Sequence, residues 1–384
     1  MEYVQEPITT LHALREPALK APVDRAAVVV PMTEREYGGL AAEGVLSELA
    51  GLDPGRVVVP LRAPPETVGP FCEWLDSFDL SVEVVWCSGQ RLAGLLADYG
   101  LDGEAGKGRD MWLALGQVLD SEYVVCHDAD TKTYDRSYVR RLLFPLEYGH
   151  TFSKGYYARV ENNQLYGRLF RLFYAPLVRT LSADHDADIL RYLSAFRYAL
   201  AGEFAATGGL VSRLRVQRSW GLEVGTLGDA YAQAGFERSA QVDLGAYEHD
   251  HRAVSGPAGL SEMSSSVGNA LFRVLEDHGL EVNYETLAGR YRRVASEFVE
   301  RYAVDAAYNG LSYDKSDERD QLEAYSETLG PPGADSRLPA WCDTELSPQA
   351  VAEAAAADLE SATDLPARRH RRADHTVLTD EQTD

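Results

Sequence analysis

Two aspartates follow a short apolar run near the middle of the chain. The run Tyr123–His127 (YVVCH) is typical of a buried strand, and Asp128 and Asp130 come directly after it. Side chains at i and i+2 of extended backbone point the same way, so both carboxylates could face one hard divalent cation. Because such a cation neutralises a diphosphate, the spacing predicts a Mg²⁺ or Mn²⁺ site. The alternative is a solvated loop, since Asp-x-Asp is common in so acidic a protein.

The surroundings of this motif argue against a phosphatase. Haloacid-dehalogenase-type enzymes carry Asp-x-Asp-x-Thr or Asp-x-Asp-x-Val after their first strand. Here Lys132 occupies the position of the Thr or Val, and the motif follows the fourth predicted strand. We therefore expect the carboxylates to hold a cation rather than to accept a phosphoryl group.

Two further segments could contact a nucleotide diphosphate. Pro31, Thr33 and Glu34 follow the predicted strand Ala26–Val30, where the base and ribose of a donor would lie. A plain helix N-terminus with Thr33 as N-cap explains this segment equally well. Lys107 lies between two glycines ahead of a predicted helix. Glycines let the backbone approach a ligand, and the lysine supplies a point charge for phosphate.

The overall charge is strongly acidic. The 384 residues include 60 Asp+Glu against 37 Lys+Arg, which gives a net charge of −23, and only 5 of the basic residues are lysines. A phosphate backbone needs a basic surface, so we predict no nucleic-acid partner. An excess of carboxylates with few lysines is typical of a salt-rich cytoplasm, where salt screens like-charge repulsion.

The hydrophobic content of 45% is enough for a large core. The apolar runs are a few residues long, whereas a membrane-spanning helix needs about 20. Residues 1–22 carry charges throughout and lack the apolar segment of a secretory signal. The four cysteines show no CxxC spacing. We predict a cytoplasmic protein with reduced thiols, no zinc site and no membrane span.

Short apolar runs alternate with helix-like stretches in the first part of the chain. The predicted strands are Ala26–Val30, Arg56–Leu61, Ser81–Cys87 and Tyr123–His127, and helices are predicted at Glu34–Leu49 and Met111–Leu119. Such alternation favours an α/β fold with a mostly parallel, Rossmann-like sheet and helices on both faces. Sheets of this kind bind ligands at the carboxyl ends of their strands.

The rest of the chain is mainly helical in pattern. Helices are predicted at Arg168–Leu181, at Asp188–Ala199 and over Pro257–Val304, with a turn near Gly279–Asn283. We divide the chain into an arm at 1–24, a catalytic domain at 25–255, a helical C-terminal region at 256–345 and a disordered acidic, Arg-rich tail at 346–384. Within that tail, Val351–Leu359 could form a short surface helix.

The order of these motifs resembles the glycosyltransferase-A (GT-A) fold of nucleotide-sugar transferases. Later segments resemble the glucosyl-3-phosphoglycerate synthase family more specifically. Those segments are Phe152–Arg159 (FSKGYYAR), Gly167–Leu169 (GRL), Gly202–Ala205 (GEFA), Trp220–Gly225 (WGLEVG) and Val242–Gly245 (VDLG), followed by His249. The resemblance covers about residues 25–255 in order.

This resemblance implies transfer of glucose, or of mannose in relatives, from a nucleotide donor to 3-phosphoglycerate with retention of configuration. UDP-glucose is the expected donor, the expected cofactor is Mg²⁺ or Mn²⁺, the product would serve compatible-solute synthesis, and a homodimer is possible. The implied metal ligands are Asp128, Asp130 and His249, and the catalytic residues are Glu223 and Asp130. The implied donor contacts are Pro31, Thr33, Glu34, Lys107, Asp128 and Ala129, and the acceptor contacts are Arg168, Gly202, Glu203 and His251.

Two positions depart from the family pattern. Phe170 stands where the family has a Thr that helps hold the acceptor phosphate, and His251 stands where it has an Asn. Both changes fall on acceptor recognition, so the exact acid is left open. The alternatives are a polyprenyl-phosphate sugar transferase and a non-catalytic protein that binds sugar nucleotides. The charged stretch Arg273–Glu300 argues against the first, and the intact Asp128, Asp130 and His249 argue against the second.

Overall fold

A mixed sheet forms the centre of the protein. The computed structural model describes residues 5–14, 19–218, 220–250 and 257–363. The strands in this part of the chain are β1 (Thr9–Leu11), β2 (Ala26–Val29), β3 (Met32–Thr33), β4 (Arg56–Arg62), β5 (Val82–Trp86), β6 (Tyr123–Cys126), β7 (Phe152–Glu161), β8 (Gln164–Leu165), β9 (Phe204–Thr207) and β10 (Ser239–Tyr247).

Thirteen α-helices accompany the sheet within the same described ranges. They are α1 (Leu40–Ala50), α2 (Pro65–Asp76), α3 (Gln90–Asp98), α4 (Lys107–Gln117), α5 (Ser137–Glu147), α6 (Ala175–Ser182), α7 (Asp188–Ala195), α8 (Gly208–Val211), α9 (Leu222–Ala234), α10 (Pro257–Asp277), α11 (Tyr284–Tyr308), α12 (Lys315–Glu327) and α13 (Pro348–Thr363). None of the helices described is both long and apolar enough to cross a membrane.

The strand order is β1-β10-β7-β9-β6-β2-β4-β3, with β5 on β4 and β8 on β7. Along this order the strands pair in parallel on both sides of β9, which runs antiparallel to its neighbours β6 and β7, and the two-residue β8 is also antiparallel to β7. The sheet therefore consists of two parallel halves joined by one reversed strand. The predicted mostly parallel sheet is confirmed.

Both faces of the sheet are covered, as predicted. Val124 belongs to one buried cluster and Val125 to the other, because successive side chains of a strand point to opposite faces. Helices α1, α2 and α5 cover the Val125 face, and α4, α6, α7 and α9–α11 cover the Val124 face. The four predicted strands are all present, each within a residue or so of its predicted bounds.

The predicted helix Glu34–Leu49 is wrong in its first turn. Residues Glu34–Glu36 form a short 3₁₀ turn, and α1 begins only at Leu40. Gly38 lies between the two and has φ of +63°. A right-handed helix cannot continue through a residue with this conformation. The predicted helix Arg168–Leu181 likewise starts as a π-helical segment, Leu169–Tyr174, before α6.

The N-terminal arm is partly a strand. Thr9–Leu11 pairs in parallel with β10, and Ile8 is only 1% exposed. The proposed boundary at residue 24 therefore cuts through the central sheet. The arm was not recognised because three residues are too few to show a hydrophobic period.

The C-terminal tail is ordered up to Thr363, so its prediction as disordered from residue 346 is wrong for this part. Helix α13 packs on α2, α3, α4 and β5 and buries Val351 and Ala355. Just before it, Trp341 stacks on Trp112 with ring centroids 4.1 Å apart. These apolar contacts offset the entropy lost when the segment becomes ordered. The Ala-rich composition by itself did not indicate such contacts. Residues 364–384 lie outside the described ranges.

The C-terminal region at 256–345 is helical, as predicted. Helices α10 and α11 are separated by a turn over residues 278–283, which includes Gly279 with φ of +73°. Helix α10 packs against α9, and α11 packs against α6. The helical region therefore packs on the same face of the sheet as α9. Glu223 lies on α9.

Candidate active site

A cleft opens where β2 and β6 end and β9 begins. It holds about 310 Å³ of space, part of which is open to solvent. Because β9 runs antiparallel to β6 and pairs Phe204 with Cys126, the residues before β9 lie beside those after β6. The side chains that line the cleft and carry or flank chemistry are Pro31, Lys107, Asp128, Lys154, Gly202 and Glu223.

Gly202 approaches the first aspartate of the motif closely. A Cβ atom built on Gly202 would lie 2.8 Å from Oδ2 of Asp128. Any side chain here would displace that carboxylate, which explains the glycine. Gly202 thus belongs to the site because its backbone lies directly against the carboxylate of Asp128.

Lys107 begins α4 and forms the ionic centre of the cleft. Its Nζ lies 2.5 Å from Oδ1 of Asp128 and 3.7 Å from Oε1 of Glu223. Burial alone would lower the pKa of Lys107, but the two carboxylates outweigh it and raise the pKa above its usual value. Lys107 is therefore a permanent cation in the cleft.

The glycine after Lys107 has a packing role. A Cβ atom on Gly108 would lie 1.6 Å from the backbone oxygen of Gln217. The first turn of α4 can thus lie directly against the segment that leads to α9. This contact brings Lys107 and Glu223 to the same cleft.

Glu223 lies in the first turn of α9. Gly221 precedes it with φ of +96°, and a Cβ atom at Gly221 would lie 2.7 Å from Cβ of Ala270. A larger residue would be strained and would collide with α10. The glycine therefore sets the start of α9 and directs Glu223 toward Lys107. A carboxylate is also favoured at a helix N-terminus by the helix dipole.

Asp130 and His249 meet outside the cleft lining, near enough to the cleft for the charge of Lys107 to act on Asp130. Nδ1 of His249 lies 3.2 Å from Oδ1 of Asp130. Thr131 and His249 form a β-bridge, and the backbone N–H of Asp250 donates to the oxygen of Asp130 at 2.7 Å. Burial would raise the pKa of Asp130, but the contact with His249 and the charge of Lys107 lower it. Asp130 is therefore ionised and lies directly beside His249.

The donor set of this pair fits a divalent metal. Carboxylate oxygen together with imidazole nitrogen suits Mn²⁺ better than Mg²⁺. Asp128 does not join the pair, because Lys107 holds its carboxylate. Within the described ranges, no group of three or more His, Cys, Asp or Glu side chains is arranged as a metal site. Asp130 and His249 are thus two candidate ligands, and a bound phosphate or water would have to supply the others.

Glu203 is buried and hydrogen-bonded to a tyrosine. It is 1% exposed, and Tyr247 donates its hydroxyl to Oε1 at 2.5 Å. Thr131 in turn donates to the hydroxyl oxygen of Tyr247 at 2.7 Å, and the ring of Tyr157 stacks on Tyr247. Oε2 of Glu203 has no hydrogen-bond partner among the residues described. Burial, then the charge of nearby Asp128, raise the pKa of Glu203.

Sequence reasoning missed Tyr247 and Lys154. Tyr247 connects Glu203 to the loop that carries Asp130, and Lys154 lines the cleft from within β7. Lys154 had a usable signal, because it is one of five lysines and interrupts a strand that is buried on both faces. Tyr247 had none, since tyrosine is ordinary in a strand.

Only some of the predicted donor-binding residues line the cleft. Pro31 lines the cleft. Thr33 caps the 3₁₀ turn by accepting from the N–H of Arg35 and forms a capping box with Glu36, which confirms the N-cap interpretation. Glu34 is exposed outside the cleft lining, and Ala129 is buried in the core on the Val125 face.

The predicted acceptor residues are divided: Gly202 lines the cleft, whereas Arg168 and Glu203 are not among its lining residues. Nε of Arg168 donates to Oε1 of Glu318 on α12 at 2.8 Å. Phe170 packs among aromatic rings, with its centroid 4.9 Å from that of Tyr198. His251 lies outside the described residues.

Comparison with known proteins agrees with this fold. Solved structures with the same fold include glucosyl-3-phosphoglycerate synthase from Mycobacterium tuberculosis in complex with Mn²⁺, UDP and phosphoglyceric acid. That likeness has a TM-score of 0.53 and 21% identity over 72% of this chain and 88% of that one. Mannosyl-3-phosphoglycerate synthase from Rubrobacter xylanophilus is similar with a TM-score of 0.54 and 24% identity over 71% and 83%. These are GT-A glycosyltransferases, and the present chain shares their fold.

Curated relatives narrow the class. The chain is 35% identical to glucosyl-3-phosphoglycerate synthase of Methanococcoides burtonii over 373 residues, 88% of this chain and 90% of the relative. It is 35% identical to the enzyme of the same name from Persephonella marina over 321 residues, 79% of each. The chain matches no protein-family profile. It belongs to the glucosyl-3-phosphoglycerate synthase family and is a glycosyltransferase, as predicted.

Proposed function

We propose that this glycosyltransferase moves glucose from UDP-glucose to 3-phosphoglycerate with retention of configuration, with Mn²⁺ or Mg²⁺ as cofactor. The observation that carries the proposal is the convergence of Lys107, Asp128 and Glu223 in one cleft, next to the Asp130–His249 pair. A lysine ammonium and a pair of residues that can bind a metal lie at one sheet edge, and positive charge there would stabilise a diphosphate leaving group. The names of the relatives supply the sugar and the acceptor.

Asp130 and His249 would hold the metal. When bound, the ion supplies charge stabilisation to the departing diphosphate. Lys107 already provides one fixed positive charge beside that position, since Asp128 and Glu223 keep it protonated. With a donor present, Lys107 exchanges part of its contact with Asp128 for a phosphate oxygen, and Asp128 becomes free to accept from a ribose hydroxyl.

The reaction itself needs one bond made and one broken. The acceptor hydroxyl oxygen bonds to C1 of the glucose, and the bond from C1 to the diphosphate oxygen breaks. The acceptor proton passes to the leaving phosphate oxygen, and attack from the same face accounts for retention. Oε1 of Glu223 lies 3.7 Å from Nζ of Lys107. The transferred sugar would lie beside Glu223, whose negative charge would stabilise the positive charge that develops at C1.

Arg168 would bind the acceptor anion. Its Nε donates to Glu318, and its Nη2 lies 3.9 Å from Oδ2 of the exposed Asp317. An acceptor carboxylate or phosphate would replace this long surface contact with a charge-assisted pair. Phe170 offers no hydrogen bond, so it cannot replace the Thr of the family pattern. For this reason glycerate is tested beside 3-phosphoglycerate.

The direct experiment is a panel of nucleotide sugars against small acids. UDP-glucose, GDP-glucose, GDP-mannose and ADP-glucose are each offered with 3-phosphoglycerate, glycerate or a polyprenyl phosphate, with Mn²⁺ or Mg²⁺ and in low or high KCl. We expect transfer from UDP-glucose to 3-phosphoglycerate, activity that persists in high salt as compatible-solute synthesis requires, and loss of activity with a chelator. Binding of UDP-glucose without transfer or hydrolysis would instead show a non-catalytic binding protein.

A further inference from the structure

A second lysine lies in the cleft. Lys154 belongs to β7 and pairs with Phe204 of β9 across the ladder. It is 1% exposed, and its Nζ donates to the backbone oxygen of Ala201 at 2.6 Å. It also lines the same cleft as Lys107, Asp128 and Glu223. The mechanism described above does not use it.

Exposure shows that Lys154 lies at the deep end of the cleft. The side chain of Lys107 is 32% exposed, that of Asp128 is 23% and that of Glu223 is 17%. A diphosphate at Lys107 and Asp130 would therefore occupy the outer part of the cleft. The sugar attached to it would extend inward, past Glu223 and toward Lys154.

The ammonium group has donors to spare. It carries three N–H bonds, and within the described part of the chain the oxygen of Ala201 is its one hydrogen-bond partner. Glu203 and Glu223 lie near enough to favour its charge, yet burial lowers the pKa of Lys154 to about 8. A buried ammonium with unused donors is costly, and sugar hydroxyls are suitable acceptors for them.

We propose that Lys154 binds the transferred hexose by donating from Nζ to one of its hydroxyl groups. The inference rests on the proposed donor, a nucleotide-diphosphate sugar, and assigns its sugar end to a residue of β7. The alternative is a structural role, in which Lys154 only fixes Ala201 so that Gly202 can approach Asp128. The two roles predict different ligand dependence.

The test compares a nucleotide with its sugar conjugate. UDP and UDP-glucose are titrated calorimetrically in the presence of Mn²⁺ into wild type, Lys154→Met, Lys107→Met and Lys315→Met. Lys315 is a surface lysine paired with Glu300, so its variant controls for the loss of a charge. We expect Lys154→Met to weaken UDP-glucose about ten- to a hundredfold and to leave UDP unchanged. Lys107→Met should weaken both ligands, and Lys315→Met neither.

Deoxy donors provide a second arm in the folded wild type. If Lys154 contacts one hydroxyl, the analogue of UDP-glucose without that hydroxyl binds wild type more weakly, and Lys154→Met no longer distinguishes the two donors. If Lys154→Met does not fold, Lys154→Arg carries the same comparison, because its larger head keeps the charge but intrudes on the sugar.

Each outcome decides the matter. Equal loss of UDP and UDP-glucose, or no loss of either, overturns the sugar contact and leaves the structural role. If wild type itself binds no sugar nucleotide and transfers none, the proposed function fails instead. Wild-type transfer with equal losses in the variant would refute only the assignment of Lys154.

Discussion

Nδ1 of His249 lies 3.2 Å from Oδ1 of Asp130, although 119 residues separate the two in the chain. The β-bridge between Thr131 and His249 fixes this pair, together with the hydrogen bond from Asp250 to the backbone of Asp130. The backbone of both residues is thus fixed, so that binding a cation would order only their two side chains. A preorganised ligand pair binds more tightly than two mobile side chains do.

Asp130→Ala should abolish transfer and leave the fold intact. Removal of one ligand takes away leaving-group stabilisation worth about a thousandfold or more in rate. His249→Ala should act in the same direction but less strongly. Mn²⁺ binding followed by electron paramagnetic resonance, alongside turnover, checks both. Asp120→Ala, which removes an exposed carboxylate paired with Arg56, is the control. Wild-type turnover in folded Asp130→Ala would refute the metal assignment.

Tyr247→Phe should weaken metal binding through the loop that carries Asp130. The change deprives Thr131 of its acceptor and leaves Glu203 without its donor, which costs about 1–3 kcal/mol in unfolding free energy. Tyr192→Phe is the matched control, since Tyr192 is an equally buried tyrosine bonded to Ser239. We expect both variants to lose stability in urea titrations but only Tyr247→Phe to lose Mn²⁺ affinity. Equal Mn²⁺ affinity in all three proteins would limit Tyr247 to a packing role.

Arg168→Ala should raise the KM of the acceptor and spare that of the donor. Loss of one charge-assisted pair costs about 1.5–3 kcal/mol, or about ten- to a hundredfold. Initial-rate kinetics with 3-phosphoglycerate and with glycerate measure the effect, and Arg191→Ala on the exposed side of α7 serves as control. A change in donor KM alone would show that the acceptor binds elsewhere. His251→Ala, run in parallel, tests whether a hydrogen bond from His251 compensates for Phe170, most strongly below about pH 6.5.

Lys154 should make the protein more stable as the pH rises above 8. Burial lowers its folded-state pKa to about 8, against 10.5 for an ordinary lysine, while Glu223, Glu203 and Asp128 oppose this shift and Lys107 adds to it. Between pH 8 and 10.5 the unfolded chain therefore binds more protons at this residue, so the free energy of unfolding increases with pH. Denaturant titrations of wild type and Lys154→Met across this range isolate the contribution. A difference between the two proteins that stays constant with pH would contradict the prediction.

Asp358→Ala should destabilise the protein without changing catalysis directly. The carboxylate of Asp358 on α13 accepts from the backbone N–H groups of Arg91 and Leu92 at the start of α3. Loss of such a cap costs about 0.5–2 kcal/mol. Glu353→Ala, an exposed position on the same helix, is the control. If thermal unfolding of the two variants is the same, α13 does not cap α3 in solution.

The strands and the polar residues that follow them were predictable because their signals are local. A run such as Tyr123–Cys126 is apolar at every position, and a strand buried on both faces requires that composition. Asp128 and Asp130 follow it within four residues, so the place of both carboxylates at the sheet edge could be predicted from the sequence itself. The same holds for Thr33, whose cap depends on residues within three positions.

Tertiary structure decided which of these residues meet. Asp128 and Asp130 are neighbours in sequence, yet Lys107 holds the first and His249 the second. This division depends on where α4 begins and on the register between β10 and the loop after β6. Neither is encoded near the motif, because α4 and β10 are distant from it in sequence and meet it only through the order of strands in the sheet. Side-chain type could be read from the chain, whereas burial and partners arise only from contacts between segments distant in sequence.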